Sequence, residues 1–288
     1  MRSMGRTTAI LLLSCPDQRG IVAAVSGFIA QHNGNILDAD QYSIQPENML
    51  FMRVEWEMQG FAIPRDELEG AIAPLVQRFG MKWTIHFSDY IPRVAIFVSR
   101  HVYCFHDLIL RYRMGEFRAQ IPLVISNHHD MEALAGLFGL SYRHYAITPA
   151  NRREQEEKEI AELEREGIDL IVLARYMQIL SDEFVGRSPG RIINIHHSFL
   201  PAFTGGSPYQ QAYDRGVKVI GATSHYVTEK LDEGPIIAQD VIKITHKDSV
   251  DTIKLKGKDL ERTVLSRAVR LHLEHRILVH GSRTIIFD

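Results

Sequence analysis

Arg191-Ile192-Ile193-Asn194-Ile195-His196-His197-Ser198-Phe199-Leu200-Pro201 is the stretch that carries the fold assignment. An apolar run there ends in two polar residues at i and i+2, and extended backbone sends such a pair to the same side. Asn194 and His196 are therefore predicted to face one pocket. Upstream, Val94–Ser99, Ile121–Ser126 and Leu170–Ala174 are short apolar runs of the same kind, separated by helical patterns near Asp107–Met114, Met131–Phe138 and Asn151–Arg165. That alternation predicts a mainly parallel sheet covered by helices. Open sheets of this type hold ligands beyond the carboxyl ends of their strands, which is where Asn194 and His196 stand. An amide donor and an imidazole together can stabilise the charge that develops on a carbonyl oxygen under nucleophilic attack, so acyl or formyl transfer fits.

Downstream, Ile220–Val227 has strand character and runs into Thr228-Glu229-Lys230-Leu231-Asp232-Glu233-Gly234-Pro235, a loop rich in carboxylates and turn residues. A carboxylate such as Asp232, brought near His196, could orient the ring and take the proton of an attacking water. As a bare sequence feature Asp232 is equally a turn former. His196, His197 and His225 also invite a metal-site reading. Adjacent histidines on a strand point to opposite faces, however, and no Cys or compact carboxylate motif completes a ligand set. His197 and His225 then read as core histidines, secondary to His196. The run Asn151–Glu166 carries Glu154, Glu156, Glu157, Glu159, Glu162 and Glu164 with a narrow apolar stripe at Ile160 and Leu163, and predicts a solvated helix. Leu260, Val264, Ala268 and Leu271 predict a long C-terminal helix with Arg262, Arg267 and Arg270 on its wet side.

The first 80 or so residues read differently. Thr7–Ser14 is a strand, and the breaker-rich turn Cys15-Pro16-Asp17-Gln18-Arg19-Gly20 leads to a helix whose apolar face is Ile21, Val25, Phe28 and Ile29. Asn33-Gly34 ends that helix. Ile36–Ile44 and Met49–Met58 form a hairpin, and Leu68, Ile72, Leu75, Val76 and Phe79 mark a second helix before the strand Met81–Phe87. The order βαββαβ is that of a ferredoxin-like domain. The Gly20 turn leaves amides at a helix start where a carboxylate can be held. The same residues also serve as plain scaffold, with Asp17 capping the helix and Asn33-Gly34-Asn35 ending it. Ser88–Pro92 reads as a linker, giving units 7–87 and 93–288.

With 288 residues, 45% of them apolar and 24% charged, the chain has the balance of a globular protein, not a disordered one. Lys plus Arg number 33 against 35 Asp plus Glu, and a net charge of -2 excludes the basic field of a nucleic-acid binder. No stretch reaches the ~18 apolar residues needed to span a membrane. Two distant cysteines, Cys15 and Cys104, suit a reduced cytoplasm, the expected location.

Asn194-Ile195-His196 followed by Asp232-Glu233-Gly234 resembles the signature of the formyltetrahydrofolate hydrolase and transferase superfamily, and Ser198–Pro201 and Gly221–Val227 extend the likeness over about residues 92–288. The resemblance implies a Rossmann-like, mainly parallel α/β domain in which Asn194 and His196 polarise the formyl oxygen and Asp232 assists proton transfer, with no metal. Leu173–Leu180 is similar to the family's pterin-holding loop, which implies folate contacts at Arg175, Met177, Gln178, Ile179, Leu180 and Gly234. Met177 and Leu180 also suit ordinary core packing. The family often carries Lys-Gly-Ala where Thr204-Gly205-Gly206 stands, and His at Gln210.

Residues 7–87 resemble an ACT domain, a regulatory module that binds amino acids. This implies an effector at Asp17, Gly20, Asn33 and Asn35, and a homo-oligomer. An ACT unit ahead of such a catalytic unit resembles the deformylase branch, which hydrolyses 10-formyltetrahydrofolate to tetrahydrofolate and formate without a permanent cofactor and supplies formate for one-carbon metabolism and purine synthesis. Two alternatives compete: formyl transfer to an amine acceptor, and a folate-binding sensor without turnover. Arg100-His101-Val102-Tyr103-Cys104 stands where a phosphoribosyl-amine transferase has a glycine-rich phosphate loop, and bulky side chains deny the close backbone approach that glycines allow.

Overall fold

The computed structural model describes residues 6–201 and 208–288. The chain divides into two compact units. One comprises the chain up to Ile91 with His275–His280 and Ile285–Asp288; the other comprises Pro92–Glu274 with Gly281–Thr284. The expected second unit, 93–288, thus loses most of its last residues to the first.

The first unit has the expected order: β1 (Thr8–Pro16), α1 (Ile21–Gln31), β2 (Ile36–Ile44), β3 (Met49–Glu57), α2 (Leu68–Phe79) and β4 (Lys82–Phe87). They form an antiparallel sheet in the order β2-β3-β1-β4. Leu11, Leu13, Val54 and Trp56 face α1 and α2, packing on Ile21, Val25, Ile29, Leu68 and Ile72. The left-handed residue that ends α1 is Asn33 (φ 62°). Gly34 is needed for space, since a Cβ there would lie 2.5 Å from Ile29 Cγ2.

The second unit contains β5 (Arg93–Val98), α3 (Tyr103–Arg113), β6 (Gln120–Ser126), α4 (Glu132–Leu137), β7 (Ser141–His144), α5 (Arg152–Arg165), β8 (Leu170–Ala174), α6 (Asp182–Arg187), β9 (Ile192–His196), α7 (Pro208–Asp214), β10 (Val219–Tyr226), β11 (Ile236–Lys243) and α8 (Val250–Leu273). Its sheet runs β11-β10-β9-β8-β5-β6-β7. The pairs among β5, β6, β7, β8 and β9 are parallel, whereas β10 is antiparallel to both β9 and β11. The chain winds outward from β5 to β7, then returns to lay β8 on the other side of β5. The reversal opens a crevice at the carboxyl ends of β5 and β8. Leu170–Ala174 reads as an unbroken apolar run because a central parallel strand is buried on both faces, as β8 is.

The remaining chain forms the hairpin β12 (Ile277–His280) and β13 (Arg283–Ile286). Leu278, Ile285 and Phe287 cover the face of the first unit's sheet that carries Leu12 and Phe51. On that face Arg53 is fully buried, donating to Asp38 Oδ2 at 2.7 Å, Glu55 Oε2 at 2.8 Å and the His275 carbonyl at 3.1 Å. This buried charge needs all three acceptors, and the third comes from the far end of the sequence. The hairpin, β7, β11, α6 and α7 are absent from the sequence expectation. They are short or lie at sheet edges, where half-exposed strands such as Ser141–His144 carry little apolar signal.

Two further expectations change. The acidic helix α5 is not solvated all round: Glu156, Glu159 and Glu162 are buried, three residues apart on one face. The long C-terminal helix α8 does expose Arg267 and Arg270, but it buries Glu261 completely.

Candidate active site

Asn194 and His196 leave β9 at its carboxyl end, and β10 runs alongside in register, with His225 opposite Asn194 and Thr223 opposite His196. The pairing of β10 with β11 shifts register between Ser224 and His225, a bulge that re-aims the side chain beside it. His225 Nδ1 lies 2.9 Å from the Tyr226 carbonyl, an acceptor, so this nitrogen carries the hydrogen. Its Nε2 then faces Asn194 Nδ2 at 3.3 Å and Asp232 Oδ1 at 3.6 Å. His196 Nδ1 lies 3.1 Å from Asp232 Oδ2. The structure thus brings together Asn194, His196 and Asp232 as the sequence predicts, and adds His225, for which the sequence predicts only a place in the core. Equal strand alternation on β9 and β10 was the signal available for it.

Asp232 reaches this position from an excursion between β10 and β11. The Tyr226 amide donates to the Pro235 carbonyl at 2.9 Å, closing the neck of the loop. Gly234 sits in that neck, where a Cβ would lie 1.7 Å from the Tyr226 carbonyl oxygen. Expected among the folate contacts, Gly234 has here the role of letting two backbone segments meet. Asp232 itself takes a left-handed conformation (φ 57°), which short polar side chains tolerate. Burial opposes its ionisation, yet the imidazoles beside it, His196 first, prevail and hold its carboxyl well below the usual carboxylate range. The group is therefore ionised when the site is empty.

His196 is 6% exposed, and its Nε2 is buried with no hydrogen-bond partner among the described residues. With Nδ1 donating to Asp232, Nε2 is the ring atom left for a substrate. His197 does not join the group. It lines an apolar cavity of about 330 Å³ with Phe199, Tyr209, Ala212 and Ile220. Burial, reinforced by the charge of Arg175, pushes its pKa down to about 3, so His197 is neutral. The turn after β9 is fixed by Thr223, whose hydroxyl donates to the Ser198 carbonyl at 2.9 Å and accepts from the Leu200 amide at 3.0 Å. Among the described residues no group of three or more His, Cys, Asp or Glu side chains is arranged to hold a metal ion. No helix among them is long and apolar enough to cross a membrane.

The loop after β8 lies at the crevice. Met177 and Ile179 are 54% and 56% exposed, Gln178 is half-buried, and Leu180 is half-buried against the core formed by Tyr176 and Phe184. The Met177 amide donates to Ser99 Oγ at 2.9 Å, and Ser99 donates to Asn127 Oδ1 at 2.7 Å, tying this loop to the ends of β5 and β6. Arg175, expected as a folate contact, is left-handed (φ 61°) and turns its side chain inward, 3.4 Å from Glu261 Oε2. Tyr103 and Tyr209 donate to the same carboxylate. Its guanidinium is thus occupied in the interior. Thr204, Gly205 and Gly206 lie outside the described residues, whereas Gln210 Nε2 donates to Asp214 Oδ1 one turn along α7.

The four residues expected to hold a regulatory ligand do not form one site within a chain. Asp17 and Gly20 precede α1 and Asn33 and Asn35 follow it, about 16 Å of helix apart. Asp17 does not cap α1: the N-cap is Gly20 (φ 92°), with no side-chain hydrogen bond. Asn33 and Asn35 instead donate to the Gly60 carbonyl at 2.9 Å and Glu57 Oε2 at 3.4 Å.

Comparison with known proteins follows the same two-part division. Residues 9–69 match the ACT domain model and residues 92–269 the formyl transferase model. A formyltetrahydrofolate deformylase of Synechocystis is 52% identical over 284 residues, covering 99% of this chain and all of the relative. One from Bacillus subtilis is 47% identical over 279 residues, 96% of this chain and 93% of its own. The crystal structure of a formyltetrahydrofolate deformylase from Pseudomonas syringae pv. tomato superposes with a TM-score of 0.96 at 41% identity, covering 100% of this chain and 96% of that one. An ACT domain joined to a formyl transferase domain, with full-length likeness to proteins of one kind, leaves one assignment: the chain belongs to the formyltetrahydrofolate deformylase family.

Proposed function

We propose that Asn194, His196 and Asp232 carry out the reaction of this family, hydrolysis of 10-formyltetrahydrofolate to tetrahydrofolate and formate. The observation that carries the reading is the contact of His196 Nδ1 with Asp232 Oδ2 at 3.1 Å beside an unpartnered His196 Nε2. Asp232 accepts a proton from water as the water oxygen attacks the formyl carbon, and the carbonyl electron pair moves to oxygen. The Asn194 amide and the His196 imidazolium, through Nε2–H, stabilise that oxyanion. As the C–N10 bond breaks, its electron pair returns to nitrogen, which takes the proton from His196 Nε2. Formic acid then leaves, Asp232 releases its proton to water, and His196 Nε2 takes one up from water, which restores both groups.

His225 supports this arrangement by accepting from Asn194 Nδ2, which fixes the amide orientation and leaves its second N–H for the substrate. The pterin docks on Met177–Leu180, whose exposed apolar side chains suit a flat heterocycle while backbone groups read its polar edge. Arg175 contributes through its backbone. No permanently bound cofactor takes part. The ACT unit takes a small-molecule effector. An amino acid held by its carboxylate at the Gly20 turn suits the amides that begin α1, and the protein works as a cytoplasmic homo-oligomer.

Formate release from 10-formyltetrahydrofolate, measured with and without an amine acceptor, tests the assignment. The expected result is stoichiometric formate that the amine does not reduce; formylated amine would establish a transferase, and no turnover a binding protein. Ile179→Ser should raise KM roughly fivefold with little change in kcat, because it removes apolar contact made equally in ground and transition states. Steady-state kinetics with the folate substrate read the split directly.

A further inference from the structure

Carboxylates are seldom buried without a reason, because removing a charge from water costs several kcal/mol unless it is paired. Helix α5 buries three on one face. Glu162 is paired, with Arg143 at 2.8 Å and Arg165 at 2.7 Å. Glu156 and Glu159 have no such cation among the described residues. Glu156 Oε1 accepts the Ser181 amide at 3.0 Å, and Glu159 Oε1 accepts the Tyr176 hydroxyl at 3.3 Å. Tyr176 and Ser181 are the two ends of the loop that presents Met177, Gln178, Ile179 and Leu180.

We infer that the buried carboxyl groups of Glu159 and Glu156 are positioning residues that hold the 176–181 loop in the shape that binds the folate. The inference rests on the assignment of that loop to the pterin. Between the two anchors the chain is fastened once more, by the Met177 amide on Ser99 Oγ. Tyr176 is itself wedged in the core, its ring edge-on to Phe97 at 5.2 Å. Ser181 passes the constraint onward, accepting the Phe184 amide as the N-cap of α6. Three fixed points in six residues leave the loop few conformations, so its apolar side chains are held outward before any ligand arrives.

The chemistry of Glu159 gives this clamp a signature. Its side chain is 0% exposed, and Oε2 has no partner among the described residues. Burial, aided by the charge of neighbouring Glu156, raises its pKa to about 8 against the lowering effect of the Tyr176 hydrogen bond. The other charged or titratable groups around it do not neutralise it. Arg152, two turns back on the same face of α5, acts on the Tyr176 hydroxyl but forms no ion pair with Glu159 among the described residues; Tyr145 after β7 feels both Glu159 and Glu162, and Arg187 of α6 pairs with Glu164. Below about pH 8 Glu159 is therefore a neutral acid that fits its surroundings. Above it, a buried negative charge without a counter-ion favours states in which the clamp opens to water.

The test is the pH dependence of KM for 10-formyltetrahydrofolate in the full-length protein. Between pH 7 and 9 the parent KM should rise roughly tenfold, whereas Glu159→Gln, which cannot ionise, should hold its KM steady across that range. Tyr176→Phe should move the parent's transition to higher pH, because it removes a hydrogen bond that favours the carboxylate. Glu159→Ala should raise KM at every pH. A Glu159→Gln profile that superimposes on the parent's, or Tyr176→Phe with an unmoved transition, overturns the inference. Ile179→Ser separates the two ideas. If it raises KM while the Glu159 profile is ordinary, the loop binds folate without the clamp; if it leaves KM unchanged, the loop assignment fails and the clamp with it.

Discussion

Asp232→Asn should lower kcat by about 10²–10⁴-fold while KM stays within about threefold of the parent value. The carboxamide has the same shape as the carboxylate and can still accept from His196 Nδ1, 3.1 Å away, so the site keeps its geometry. It loses the charge that His196 and His225 both face, and with it the acceptor for the proton of the attacking water. The loss therefore falls on the chemical step, after the folate is bound. Because the native carboxyl is held well below the usual carboxylate range, the proton acceptor is present over the whole working pH range, and the decline in Asp232→Asn should be seen at pH 6 as well as at pH 8. Steady-state formate release at both pH values measures it. A variant that hydrolyses at the parent rate would remove Asp232 from the mechanism.

Gly234→Ala should be as damaging by a different route. A Cβ placed 1.7 Å from the Tyr226 carbonyl oxygen and 2.9 Å from its carbon meets backbone, which cannot swing aside as a flexible side chain can. Either the neck of the loop opens, breaking the 2.9 Å bond between the Tyr226 amide and the Pro235 carbonyl, or the strands part. Overpacking of this kind costs about 1–3 kcal/mol or more. Asp232 lies two residues from the clash, and a displacement of about 1 Å in a reacting group can cost about 100-fold in rate. Both losses are expected together: a lower midpoint in urea unfolding and at least about 100-fold lower kcat/KM. Parent stability and rate would show that the neck widens at no cost and that Asp232 is placed by something else.

Most of the fold could be read without coordinates, because the elements that build the two units announce themselves by period. The run Leu170–Ala174 is apolar throughout, as a strand buried on both faces must be, and it is β8 to the residue. Ile21, Val25 and Ile29 recur at helical spacing and are the buried face of α1. Elements half-immersed at edges gave no such pattern: Ser141–His144 is a strand only because β6 lies beside it. The acidic helix misled for the opposite reason. A run of glutamates is normally solvated, and only the packing of Tyr176 and Ser181 against one face of α5 makes Glu156 and Glu159 interior residues.

The candidate site divides along the same line. The Asn194-x-His196 spacing at a strand end and the Asp232-Glu233-Gly234 loop are local facts, and the sequence by itself determined that these side chains belong to one kind of chemistry and that two of them share a side of β9. What only the tertiary structure decided is which groups meet: His225 opposite Asn194, Asp232 on His196, Arg175 turned away toward Glu261, and Asp17 and Asn33 kept at opposite ends of a helix. The physical reason is one of range. Backbone periodicity fixes the direction of a side chain within a few residues of its neighbours, whereas contacts between residues 36 or 86 positions apart, as in His196 with Asp232 and Arg175 with Glu261, exist only once strand register and helix packing have closed the chain on itself.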